Sequence, residues 1–89
     1  MKPRYVVDTN VLIAASAVDA TSSVAKDATP SDPVLRMRVW DWLDQFSKSN
    51  SRLVLDGQGK IEKEYRNKLG FNDFGRQVVI YKWSTNAVI

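Results

Sequence analysis

The carboxylate with the clearest chemical potential is Asp8. It follows the apolar run from Tyr5 to Val7 and precedes a second apolar run that begins at Val11. An acid between a strand-like and a helix-like segment lies at the carboxyl end of the strand, the edge at which α/β proteins bind ligands. Carboxylate oxygens are ligands that Mg²⁺ prefers, so Asp8 is a candidate metal ligand. The alternative is that Asp8 only caps the following helix.

A second carboxylate, Glu64, lies on a helix predicted over residues 58–69. Ile61, Tyr65 and Leu69 recur every fourth residue and are expected to face the sheet. Glu64 borders this apolar stripe, where its side chain can reach a crevice at the sheet edge. Clustered carboxylates can hold a divalent ion that activates water and offsets the charge developed in phosphodiester hydrolysis.

A third acid, Asp56, follows the second apolar strand, predicted over Arg52 to Leu55. Two parallel strands would therefore bring Asp8 and Asp56 to the same edge. Asp56 can be an outer-sphere partner of a metal site, but the turn that begins at Gly57 favours a cap for the next helix.

The composition restricts the chemistry of any metal site. The 89 residues contain no cysteine and no histidine, so the ligands must be oxygen atoms, which favours Mg²⁺ or Mn²⁺ over zinc. The formal net charge of +3 permits nucleic-acid binding without demanding it, because the cations are spread along the chain.

The remaining elements follow from apolar periodicity and capping residues. Residues 16–33 are small and polar, which predicts a flexible loop. The sequence further predicts strands over residues 4–7 and 52–55, the beginning of a third strand at 86–89, and helices over 10–17, 33–49, 58–69 and 73–84.

Capping and burial within the second and fourth predicted helices also follow from the sequence. Asp32 and Pro33 begin the second helix as N-cap and first residue, and Val39, Trp40, Leu43 and Phe46 form its apolar stripe. Asn72 is the predicted N-cap of the fourth helix. Its predicted buried residues are Phe74, Val78, Tyr81 and Trp83.

Two segments resemble the motifs of the PIN domain, a nuclease fold of bacterial toxin ribonucleases and RNA-processing enzymes. Residues 5–13, YVVDTNVLI, resemble the opening of that domain. LVLD at 53–56, followed by IEKEY at 61–65, resembles its second strand and the helix that carries a glutamate. The resemblance implies an α/β, Rossmann-like three-layer sandwich with a short parallel sheet.

The same resemblance implies a metal-dependent ribonuclease, and a possible toxin component of a toxin–antitoxin pair. Asp8 and Glu64 would be the catalytic residues and the ligands of Mg²⁺ or Mn²⁺. Thr9 and Asn10 would support the turn and hydrogen-bond to Asp8 or substrate, and Asp56 would assist. The implied partners are single-stranded or structured RNA and either a second copy of the chain or an antitoxin-like protein.

Residues 1–89 match the N-terminal half to two-thirds of the PIN domain as a single unit. The third and fourth acids of the family have no counterpart, so we expect slow or absent cleavage. The alternative function is a non-catalytic PIN-like module for protein interaction. A phosphotransferase of the haloacid-dehalogenase type also begins with a strand ending in Asp, but it requires a second Asp where this chain has Asn10.

The sequence gives no indication of a membrane protein. No stretch approaches the roughly 18 consecutive apolar residues of a membrane span, and the first residues contain no apolar signal segment. We therefore expect a cytoplasmic protein.

Overall fold

The computed structural model describes residues 1–26 and 28–89. In chain order, the elements of these residues are β1 (Arg4–Tyr5), α1 (Thr9–Ser16), α2 (Pro33–Lys48), β2 (Arg52–Leu53), α3 (Lys60–Lys68) and α4 (Phe74–Ser84). Among these described residues no helix is both long enough and apolar enough to cross a membrane.

The expected three-layer Rossmann-like sandwich is wrong. Within the described ranges, four helices hold about half of the residues, and the sheet has two parallel strands of two residues each. A ladder this short is too narrow to form a layer between two layers of helices. The helices instead pack largely on each other, with α1 against α2 and α4.

The small sheet has β2 at its centre. Arg4 pairs with Arg52 and Tyr5 with Leu53 in parallel register. Residues 87–89 lie on the other side of β2 and form a parallel bridge from Val88 to Leu53. The predicted third strand is therefore present only as this bridge, and β1 has no strand on its outer edge within the described residues.

Helix α2 begins as expected from its cap. Asp32 accepts a hydrogen bond from the Val34 amide at 2.8 Å, and Pro33 is the first residue of α2. The apolar stripe of α2 buries Leu43 and Phe46 completely. The core joins these side chains to residues of the other helices and strands, namely Val7, Leu12, Ala15, Leu53, Tyr65, Leu69, Val78 and Val79.

The buried face of α4 differs from the predicted one. Val78 is buried and Phe74 half-buried, but Tyr81 and Trp83 are 53% and 59% exposed. The reason is that α4 approaches α1 at Gly75, where a Cβ would lie only 2.6 Å from the carbonyl oxygen of Leu12. This approach turns Lys82 inward instead of Tyr81.

Among the described residues, backbone carbonyl groups and not a carboxylate solvate the ammonium group of Lys82. It donates to the carbonyl oxygens of Ser49 at 3.0 Å and Ser51 at 2.7 Å, and it lies 4.5 Å from the centre of the Phe46 ring. Burial lowers the pKa of Lys82. The side chain therefore links α4 to the chain between α2 and β2.

Hydrogen bonds attach the segment between α1 and α2 to the beginning of α4 and to α2. The hydroxyls of Ser22 and Ser23 donate to the Asp73 carboxylate, which also accepts from the Gly70 amide. Burial opposes ionisation of Asp73, but these hydrogen bonds outweigh it and lower the pKa of Asp73. Asp73, and not the expected Asn72, is the residue before α4.

Arg36 attaches the far end of the same segment. Its guanidinium donates to the carbonyl oxygens of Pro30 at 2.7 Å and Ala28 at 2.8 Å. Part of the flexible-loop prediction falls on Asp27, which lies outside the described residues. Flexibility of residues 16–33 stays a prediction.

Candidate active site

Asp8 lies at the point where the chain leaves β1 and enters α1. Its carboxylate is exposed and accepts the Asn10 amide at 3.4 Å, against 2.8 Å for the corresponding bond of Asp32. A hydrogen bond this long contributes little, so capping uses only a small part of the capacity of the Asp8 carboxylate. Most of that capacity remains for a ligand.

Tyr65 connects α3 to the end of β1. Its side chain is buried, and its hydroxyl donates to the carbonyl oxygen of Val7. Val7 directly precedes Asp8 and Tyr65 directly follows Glu64, so one hydrogen bond joins the residues next to the two acids. The stripe of Ile61, Tyr65 and Leu69 does face inward as predicted.

Burial and two negative charges disfavour ionisation of the Tyr65 hydroxyl. Burial raises the pKa of Tyr65 to about 12, and the negative charges of Glu64 and Asp8 act in the same direction. Glu64 is exposed on α3, as Asp8 is at the end of β1. Both carboxylates are therefore open to solvent and electrostatically coupled to one buried hydroxyl.

The supporting residues have more ordinary roles. Asp56 accepts the Ile61 amide at 2.9 Å, and this bond lowers the pKa of its carboxyl. Its carboxylate thus stabilises the first turn of α3, as the preferred prediction has it. Thr9 is buried at the beginning of α1, and within the described residues its hydroxyl makes no hydrogen bond to Asp8.

Asp8 and Glu64 alone would give a metal ion two carboxylate ligands and not a closed cage. In the part of the chain that the structure describes, no group of three or more Asp and Glu residues is arranged to hold a metal ion. Mg²⁺ keeps several of its water molecules and often uses only one or two protein carboxylates. Two carboxylates such as Asp8 and Glu64 would therefore suit only a weakly bound, largely hydrated ion.

An apolar groove lies beside Asp8, and we call it the β1 groove. It encloses about 510 Å³ and is lined by residues 5–8, by Val11 of α1, and by Arg38, Val39 and Trp42 of α2. Val6 is 69% exposed at its rim. Sequence patterns did not reveal this groove, because its lining combines residues 5–8, α1 and α2, which only the tertiary fold brings together.

Sequence reasoning also missed the role of the Tyr65 hydroxyl. The four-residue spacing correctly predicts a buried ring, but the spacing contains no information about the partner of the hydroxyl. The one available signal is that a buried tyrosine hydroxyl needs a hydrogen-bond acceptor.

Comparisons with protein-family models, with curated proteins and with solved structures give no significant match. The resemblance to the PIN domain thus rests on its two motifs and stays a prediction.

Replacing Tyr65 with phenylalanine should lower the free energy of unfolding by about 1–3 kcal/mol. The ring would keep its packing, but the carbonyl of Val7 would lose the hydroxyl that donates to it. Urea unfolding monitored by circular dichroism measures the change. Tyr81→Phe is the matched control, because Tyr81 is exposed and should change stability little. Equal effects of the two substitutions would contradict the bridging role of Tyr65.

Proposed function

We propose that this protein is a metal-dependent ribonuclease that hydrolyses RNA phosphodiester bonds at Asp8 and Glu64. The observation that carries the proposal is the Tyr65 hydrogen bond to Val7, which holds the residues next to both acids together. Structural hydrogen bonds occupy Asp56 and Asp73, whereas the carboxylate of Asp8 is only weakly engaged. RNA is a cytoplasmic substrate, so we propose a cytoplasmic location.

Each acid has a distinct task in this proposal. Asp8 would hold the ion, because it directly precedes α1 and its carboxylate is exposed. Glu64 either holds the same ion or accepts the proton of the attacking water. A bound Mg²⁺ or Mn²⁺ ion supplies an activated water and charge stabilisation. Tyr65 stays protonated and positions α3.

Positive charge next to Glu64 supports RNA as the substrate class. Lys60 and Lys68 lie one turn before and one turn after Glu64 on the same face of α3, and both are exposed. Cations in this arrangement attract the phosphate backbone without selecting a base sequence. We therefore propose single-stranded RNA, bound with little sequence preference.

Replacing Asp8 with asparagine should reduce Mg²⁺- or Mn²⁺-dependent cleavage of single-stranded RNA by about 100-fold or more, the scale of losing one charge-stabilising group. Asparagine keeps the shape and the capping capacity of the side chain and removes the charge that the ion needs. Cleavage of a fluorescent oligoribonucleotide, with and without EDTA, measures the effect.

Asp32→Asn is the matched control, because it makes the same chemical change at another helix cap, at the beginning of α2. This variant should cleave at the wild-type rate. If Asp8→Asn and Asp32→Asn have equal activity, Asp8 is only a cap and the ribonuclease proposal fails. The non-catalytic interaction module then becomes the better interpretation.

A further inference from the structure

The outer edge of β1 presents backbone groups that the sheet does not use. Arg52 donates to the carbonyl of Pro3 at 2.8 Å, and Val54 donates to the carbonyl of Tyr5 at 2.9 Å. Neighbouring residues of a strand direct their hydrogen-bonding groups to opposite sides. The N–H and C=O groups of Arg4 and Val6 therefore point away from β2, toward the side on which the described residues provide no strand.

Side-chain exposure follows the same alternation. Tyr5 and Val7 are half-buried and buried, whereas Arg4 and Val6 are exposed. An open edge with a valine that is 69% exposed is a template for pairing with another strand. The charges along this edge indicate which strand would pair with it.

The segment from residue 4 to residue 8 is self-complementary when it is reversed. It reads Arg4, Tyr5, Val6, Val7 and Asp8, a cation at one end, an anion at the other and apolar residues between. In an antiparallel pair centred on Val6, Arg4 lies opposite the partner's Asp8, and Asp8 lies opposite the partner's Arg4. Directly opposite residues share a face and interact, so both ion pairs favour this register.

We propose that a second copy of this chain pairs with the outer edge of β1, in antiparallel orientation about Val6. The two Val6 residues exchange both of their backbone hydrogen bonds, and each Arg4 pairs with the partner's Asp8. Tyr5 lies opposite the partner's Val7, on the face of the strand that lines the β1 groove. This proposal does not rest on the ribonuclease function.

Sedimentation velocity in EDTA tests the dimer without interference from a metal ion at Asp8. The wild-type chain should dimerise at micromolar concentration. Arg4→Glu should weaken dimerisation about tenfold or more, because it replaces both ion pairs with repulsion. Its fold should persist, since Arg4 is exposed and lies opposite Arg52 in the ladder, so the substitution also removes a repulsive pair. Circular dichroism checks this.

Reversing the charge of Asp8 as well as that of Arg4 tests whether the ion pair can be restored. Asp8→Lys should weaken the dimer as Arg4→Glu does, and the double variant should restore it by exchanging the two charges. Lys63→Glu is the matched control for Arg4→Glu, because it makes the same change in net charge on the exposed face of α3. It should leave dimerisation at the wild-type level. A monomeric wild-type chain, an Arg4→Glu variant that dimerises normally, or a double variant without rescue overturns the proposal.

Discussion

Replacing Phe46 with alanine should lower the free energy of unfolding by about 3–5 kcal/mol. Phe46 is fully buried, and its ring stacks on Trp42 at 5.5 Å and meets the edge of Tyr5 at 5.8 Å between ring centres. The ammonium nitrogen of Lys82 lies 4.5 Å from the centre of the Phe46 ring. The substitution would leave a cavity next to the buried ammonium group of Lys82 and remove the ring that it contacts.

That loss is a large part of the roughly 5–15 kcal/mol that a small domain has in total. Urea unfolding followed by tryptophan fluorescence measures it. Phe71→Ala is the control, because Phe71 is 70% exposed and its removal should change stability by less than about 0.5 kcal/mol. If Phe46→Ala destabilises no more than Phe71→Ala does, the described core is incorrect.

Replacing Gly75 with alanine should destabilise the fold by about 2 kcal/mol through overpacking. The new Cβ would lie 2.6 Å from the carbonyl oxygen and 2.8 Å from the Cβ of Leu12. The carbonyl belongs to the backbone of α1 and cannot rotate away, so α4 must move. That movement would stretch the bond from the Gly75 amide to the Ser16 hydroxyl, now 2.8 Å long.

Gly57→Ala is the control for Gly75→Ala. A Cβ at Gly57 would meet no atom within 4 Å. Alanine there should be neutral or slightly stabilising, because it reduces the entropy of the unfolded chain. Thermal unfolding of both variants measures the difference. Equal midpoints would contradict the close approach of α4 to α1.

Local patterns in the sequence predicted the helices well. Asp32 with Pro33 located the beginning of α2, and the spacing of Ile61, Tyr65 and Leu69 located the inward face of α3. These signals are local, since capping and periodicity depend on residues within a few turns. The layer architecture was predicted wrongly because it depends on how many strands pair along each edge.

The buried face of α4 shows the same limit. Its apolar residues nearly surround the helix, so periodicity alone does not select a face. Tertiary contact decides, because only Gly75 permits the close approach to Leu12, and that contact turns Lys82 inward. The partners of Lys82 are two backbone carbonyls distant in sequence, and no residue pattern encodes them.

For the candidate site, the sequence identified Asp8 and Glu64 as candidates and predicted that they share one edge of the sheet, but it did not predict the contact that links their neighbours. The structure adds the hydrogen bond between these neighbours, Tyr65 and Val7, which are 58 residues apart. The capping function of Asp56 was the preferred prediction because the adjacent turn is a local signal.

Titration with Mn²⁺, followed by NMR of the uniformly labelled chain, tests the central claim most directly. A paramagnetic ion broadens the signals of nuclei near it, so the location of binding is measured without any assumption about catalysis. We predict broadening centred on the amides of residues 8 and 64, and its loss in Asp8→Asn but not in Asp32→Asn. Broadening centred instead on another acid such as Asp73, or no localised broadening at all, would contradict a metal site at Asp8 and Glu64.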